Sequence, residues 1–253
     1  MTQMKWALIL LGALAVLGCK KKETPAPAAD EAVVETKKPA QVAEEPLKPL
    51  PAVADVNMDK VLLGRSLYFD TTLSGDGTVA CVSCHSLDHG GAEPRKTSTG
   101  IDGQIGPINS PTVLNSSYNF VQFWDGRAKD LQEQAAGPVG NPIEMGADWN
   151  KVVERLKKNK EYAAAFAKLY TDGATQNNAT DAIAEYEKSL ITPSRFDAYL
   201  RGDENAITDA EKKGYATFKE AGCTACHTGI NVGGSMFQKM GLVKDYFADR
   251  GTP

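Results

Sequence analysis

Two pentapeptides of one pattern, Cys81-Val82-Ser83-Cys84-His85 and Cys223-Thr224-Ala225-Cys226-His227, use four of the five cysteines and two of the three histidines in the chain. In a Cys-X-X-Cys-His segment the two thiols add across the vinyl groups of a haem, and the adjacent imidazole is placed to bind the iron from one face. Two covalently bound c-type haems are therefore expected, one at Cys81, Cys84 and His85 and one at Cys223, Cys226 and His227, with His85 and His227 as iron ligands. Paired cysteines also suit a structural zinc site or a thioredoxin-like redox pair. Neither alternative gives a reason for a histidine directly after both pairs.

The fifth cysteine, Cys19, follows an apolar run from Trp6 to Leu17. That run is too short to cross a bilayer as a helix and has the length of a signal-peptide core. Val16-Leu17-Gly18-Cys19 resembles the lipobox of bacterial lipoproteins, which implies that residues 1–18 are a signal peptide and that Cys19 is lipidated after cleavage. An ordinary cleaved signal with an incidental cysteine is the alternative. Export agrees with haem attachment, which in bacteria takes place outside the cytoplasmic membrane, and the expected location is the periplasmic side of a membrane.

Residues 19–54 are rich in Ala, Pro, Glu, Lys and Val and carry no aromatic residue, so they read as a flexible, lipid-anchored linker. A net charge of -4 on 253 residues gives no sign of a nucleic-acid partner.

The part that folds reads as mainly α, with long loops. Trp149, Val152, Val153 and Leu156 share one helical face after Asp148, and Tyr162, Phe166, Leu169 and Tyr170 repeat the pattern. Thr180 is expected to cap a further helix carrying Ile183, Tyr186, Leu190 and Ile191, which Pro193 would end. Thr208 with Glu211 forms a capping-box pattern ahead of Tyr215 and Phe218. No alternating strand run is visible. The polar, glycine-containing stretch from Ser86 to Pro111 is expected to cover one face of the first haem.

Further segments carry a resemblance. Leu63-Gly64-Arg65-Ser66-Leu67-Tyr68-Phe69-Asp70, Gly106-Pro107-Ile108-Asn109-Ser110-Pro111-Thr112-Val113-Leu114-Asn115, Phe123-Trp124-Asp125-Gly126-Arg127-Ala128, Asn141-Pro142-Ile143-Glu144-Met145 and Leu190-Ile191-Thr192-Pro193 flank the first motif in a fixed order. In these the chain, from about residue 55 to its end, resembles the bacterial di-haem cytochrome c peroxidases and the related MauG-type enzymes. The resemblance implies two cytochrome c-like haem domains, at residues 55–194 and 195–253, the second incomplete. It implies that hydrogen peroxide is reduced to water at the N-terminal haem. Electrons from a reduced cytochrome c or cupredoxin would enter at the C-terminal haem.

In the same terms Trp124 looks like the tryptophan that couples the two haems, a packed core aromatic being the alternative. Glu144 and Gln134 look like the polar pair on the peroxide side, since heterolysis of an O–O bond needs an acid–base carboxylate and a hydrogen-bonding amide. Asn109 resembles a ligand of an inter-domain calcium ion, and relatives that form dimers make a homodimer the expected assembly.

Two departures stand out. Ile101 occupies the position where many relatives carry a histidine that closes the first haem, and the remaining histidine, His89, lies only four residues after His85, so an open iron position is expected. The chain runs only to Pro253, short of the distant methionine that the resemblance implies for the second haem; Met236 and Met240 are too near the motif to serve, so a C-terminally truncated chain is expected. The alternative functions are a di-haem electron-transfer protein without turnover and a MauG-like oxidase.

Overall fold

A computed structural model describes residues 45–239 and 241–250. The signal peptide, Cys19 and the linker up to residue 44, together with Met240, lie outside the described residues. Among those described, every regular element is helical and the backbone makes only isolated β-bridges, as the sequence leads one to expect. No described helix is long and apolar enough to cross a membrane.

The first helix, α1 (Met58–Phe69), starts where the Asn57 side chain accepts a hydrogen bond from the Lys60 amide, and it buries Val61, Leu63, Leu67 and Tyr68. Its neighbour is α6 (Gln176–Ser189), and the two backbones approach so closely that a Cβ on Gly64 would lie 1.8 Å from the Ala182 carbonyl oxygen. Only glycine fits there, which gives Leu63-Gly64-Arg65 a packing role. Lys60 reaches Asp181 at 2.6 Å and ties the same pair of helices from the side, and Tyr170, from outside the pair, donates to the same carboxylate at 2.8 Å.

Between these helices lie the four-residue α2 (Cys81–Cys84), α3 (Leu131–Gly140), α4 (Trp149–Lys158) and α5 (Lys160–Leu169). Asp148 caps α4 as expected, and Asn159 caps α5. Leu67, Leu73, Val139, Val152, Leu156 and Phe166 form the main core between them.

Thr180 does not cap α6. The helix starts a turn earlier, with the Thr175 hydroxyl accepting from the Asn178 amide, and Thr180 is buried inside it, donating to the Gln176 and Asn177 carbonyls. Both threonines are suitable caps, but Ala179 is already fully buried, so the helix must be running before position 180. It ends at Ser189, short of Pro193.

The chain then forms α7 (Arg195–Leu200) and α8 (Asp209–Glu220), the latter opened by the Thr208–Glu211 capping box. The second motif follows on a single 3-10 turn, Cys223–Ala225, and a short α9 (Tyr246–Arg250) comes last. Leu47, Leu200 and Tyr215, with Phe196, Tyr199 and Phe218 against them, make a cluster separate from the main core.

The expected linker is not free along its whole length. From Glu45 to Leu50 it straps the second motif: Tyr215 and Lys219 bind the Glu45 carboxylate, the Pro46 carbonyl accepts from Thr228 and Gly229, and Leu47 and Leu50 are buried. Composition hid this because two leucines suffice once backbone pairing is available. The Leu50 amide donates to Asp197 at 2.7 Å, and Arg201 donates to the Leu50 carbonyl. Asp197→Ala is expected to cost about 1–3 kcal/mol, because it leaves a buried amide unpaired and removes half of the α7 capping box; urea titration of the variant against the parent measures it.

Candidate active site

A cavity of about 440 Å³ opens between α3, α6 and the loop that follows the first motif. That volume lies in the range of sites that enclose a small ligand or cofactor. Cys81, Cys84 and His85 form part of its wall, and Ser98, Gly100 and residues 106–113 form another part, so the long loop does cover this site. Gly100 is required there: a Cβ on it would meet the Ile143 carbonyl oxygen at 2.2 Å.

The motif is positioned from below. Tyr68, fully buried on α1, donates its hydroxyl to the His85 carbonyl at 2.6 Å, and Cys81 and Val82 pack on Val61, Tyr68 and Tyr186. The His85 Nδ1 lies 2.9 Å from the Pro111 carbonyl oxygen. Donation from Nδ1 leaves the lone pair on Nε2, the arrangement an iron-ligating imidazole needs. Burial also pushes the His85 pKa down, which keeps the ring neutral. Burial raises both thiols, Cys81 to about 12, with the charge of Glu187 adding to it.

The two cysteine pairs do not converge. Among the described residues no three His, Cys, Asp or Glu side chains form a group fit to hold a metal ion, and Cys81, Cys84, Cys223 and Cys226 are all free thiols. A shared tetrahedral zinc site is thereby set aside. Two thiols and a tautomerically fixed imidazole on the wall of a largely apolar, cofactor-sized cavity fit a haem.

Gln134, Glu144, Trp124 and Asn109 all line this same cavity. Gln134 projects from α3. Glu144 sits in the turn after it, where Asn141 donates to its Oε1 at 2.7 Å, and its backbone carbonyl accepts from Ile101. Burial raises the Glu144 pKa above that of an ordinary glutamate, while the Asn141 hydrogen bond and the charge of Arg127 pull against the shift. Arg127 is held over the Phe123 ring at 3.4 Å and paired with Asp125 at 2.9 Å. Phe123 itself has φ +67°, a left-handed backbone that a bulky residue adopts only under constraint from its surroundings.

Trp124 is not a core aromatic: the residue is 64% exposed where it lines the cavity, and its Nε1 donates to the Asn109 carbonyl at 3.0 Å. The Asn109 side-chain amide in turn donates to the Glu93 and Arg95 carbonyls. Ile101 is buried but points away from the cavity, against Gly75 and Gly146, and His89 ends the 3-10 turn Leu87–His89 without joining the lining.

The second motif has a simpler setting. His227 Nδ1 lies 3.0 Å from the Val232 carbonyl oxygen, repeating the His85 arrangement, and Phe218 is its ring neighbour at 6.0 Å. A smaller cavity of about 230 Å³ lies close by, lined by the strap, α7 and Ile230 to Val232. Arg127 and Glu187, which line the cavity, and Asn141, which supports Glu144, are residues to which the sequence assigned no role. The Asn141 side chain lies three residues before Glu144 within a motif already singled out, and that spacing is the signal that was available.

Fold and cavity together define a mainly helical protein of the c-type haem class. A family model for di-haem cytochrome c peroxidase matches residues 58–205. The chain is 50% identical over 204 residues to the cytochrome c peroxidase Ccp of Escherichia coli K12, a match covering 80% of this chain and 44% of that protein. It is 49% identical over 207 residues to the cytochrome c551 peroxidase of Nitrosomonas europaea, covering 81% of this chain and 62% of that one. Among solved structures, a MauG-like protein associated with microbial copper homeostasis superposes with a TM-score of 0.64 at 26% identity, over 77% of this chain and 60% of the other. The chain belongs to the di-haem cytochrome c peroxidase family. It spans about half the length of the curated relatives it matches.

Proposed function

We propose that this chain carries the peroxide-reducing centre of a cytochrome c peroxidase. Hydrogen peroxide is reduced to water at the first motif, with electrons that a reduced cytochrome c or cupredoxin delivers at the second. The observation that carries this reading is the convergence of Cys81, Cys84, His85, Gln134 and Glu144 on one cavity. The relatives named as peroxidases support it.

A haem bound here supplies the redox-active iron. The protein's own groups do the rest. Cys81 and Cys84 would hold the ring by thioether bonds, and His85 would ligate the iron. Glu144 takes a proton from one peroxide oxygen and returns it to the departing oxygen, so the leaving group departs as water. Asn141 keeps the receiving carboxylate oxygen in place, and the Gln134 amide holds the peroxide by hydrogen bonding. Trp124, which lines the cavity, couples this centre to the second haem, held by Cys223, Cys226 and His227.

The finer assignments belong to the same proposal. Residues 55–194 form the peroxidatic domain and residues 195–253 part of the electron-entry domain, an arrangement supported by the separate cluster around Leu200 and Tyr215. Cys19 anchors the protein by lipid on the periplasmic side of a membrane, and the assembly is a homodimer. Asn109 ligates calcium through its side-chain oxygen, which takes no part in the two bonds its amide nitrogen donates.

With Ile101 turned to Gly75 and Gly146 and His89 outside the lining, no described histidine besides His85 lines the cavity, so a haem held there would keep an open iron position. Electron paramagnetic resonance of the fully oxidised, haem-loaded protein is expected to show a first haem without bis-histidine ligation; a low-spin bis-histidine signal there contradicts the open site. Peroxide-dependent oxidation of a reduced cytochrome c tests the activity as a whole.

A further inference from the structure

The inward face of α6 is apolar at Ala179, Ala182, Ile183 and Tyr186, and then presents a carboxylic acid. Glu187 is 5% exposed and lines the same cavity as Cys81 and His85. Its Oε2 is wholly buried and has no hydrogen-bond partner. A buried polar atom left unpaired is costly, and where one persists in a cofactor cavity it calls for a role.

Hydroxyl and amide groups of α1, of α6 and of the cavity wall are committed elsewhere. The Tyr68 hydroxyl serves the His85 carbonyl, the Ser189 hydroxyl serves the Tyr186 carbonyl, and the Gln122 amide serves Ser116. The titratable groups that feel its charge are Tyr68 on α1, Cys81 on α2 and Tyr186 beside it on α6. Arg65 faces Tyr186 and sits over the Phe69 ring, and α3 presents only the uncharged Gln134 to the cavity. The other carboxylates of the region, Glu93 and Glu144, act on Cys84. Arg127 also lines the cavity but is paired with Asp125, so among the described residues no cation compensates Glu187, and burial pushes its pKa up to about 8.

We propose that Glu187 is a proton-loading group for the first haem, binding a proton when that haem gains an electron and releasing it when the electron leaves. A ferric haem carries one more positive charge than a ferrous one, and in a low-dielectric cavity that charge favours the carboxylate over the acid. On reduction, one electron comes from the donor protein and one proton from solvent to the Glu187 carboxylate. On oxidation both leave. The role is distinct from that of Glu144, which returns the proton it takes and so supplies neither of the two protons consumed per peroxide. The inference rests on the haem being held at Cys81, Cys84 and His85, but not on turnover.

The test uses the haem-loaded protein and Glu187→Gln, which has nearly the shape of the protonated acid and no ionisation. Haem content is measured first: no haem at the first motif defeats the site assignment and this inference with it. With haem present, redox titration at a series of pH values is expected to show the first haem's reduction constant falling with rising pH in the parent, by up to about tenfold per pH unit, equivalent to about 59 mV for one electron, between the Glu187 pKa of the oxidised form and that of the reduced form. In Glu187→Gln that slope flattens. Redox-difference infrared spectra are expected to show a protonated carboxyl band that appears on reduction in the parent and is missing in the variant. An unchanged slope in the variant, or no such band in the parent, overturns the proposal while leaving the haem site intact.

Discussion

Glu144→Gln is expected to lower kcat for peroxide reduction by about 10²–10⁴-fold, the usual contribution of a positioned acid–base group, with both haems still attached. The amide can accept and donate hydrogen bonds, so it keeps the contact with Asn141, but it cannot carry a proton between the two peroxide oxygens. The pH profile separates this from a structural effect. Burial raises the Glu144 pKa, and the base form is the active one, so the parent's rate falls as pH drops through a pKa above the ordinary 4.5. That acid limb should vanish in the variant, whose residual rate is flat across the same range. Stopped-flow turnover over a pH series reads both.

The second large effect concerns attachment. Cys81→Ala combined with Cys84→Ala removes both thioether links at the first cavity, and haem content is expected to fall from two per chain to one, with peroxide turnover dropping to background. The cavity wall is mostly apolar, and His85 alone leaves the ring held by one bond to iron. The matching change at Cys223 and Cys226 also leaves one haem per chain, yet peroxide still perturbs the first haem's absorption. Mass spectrometry with haem absorbance distinguishes the two variants, and equal peroxide responses in both contradict the unequal roles assigned to the motifs.

The motifs were legible because Cys-X-X-Cys-His fixes chemistry within five adjacent residues. So were the caps at Asp148 and Thr208, which act over a single turn. What the sequence did not show depends on contacts between distant segments. The strap from Glu45 to Leu50 is ordered by partners about 150 to 180 residues away, such as Asp197, Tyr215 and Gly229. Thr175 and Thr180 are equally good caps in isolation, and only the burial of Ala179 decides between them.

The candidate site divides in the same way. Glu144, Gln134 and Trp124 were reached through resemblance, and the structure brings them to one cavity. Glu187 was not, since one glutamate in an amphipathic helix reads as a solvated residue until the packing of α6 on α1 and the first motif buries it. Ile101 was read as unable to ligate iron, its side chain being aliphatic. That its side chain also turns away from the cavity, towards two glycines, follows from the backbone hydrogen bond to Glu144, which no spacing rule encodes.

The most direct test of the peroxide-reducing centre is steady-state oxidation of a reduced small cytochrome c by the haem-loaded protein, with and without hydrogen peroxide. The account predicts oxidation that requires peroxide, consumes two cytochrome equivalents for each peroxide, and collapses in Glu144→Gln while haem content stays constant. Electron exchange with the cytochrome that is indifferent to peroxide, from a protein carrying both haems, would show an electron carrier and contradict it.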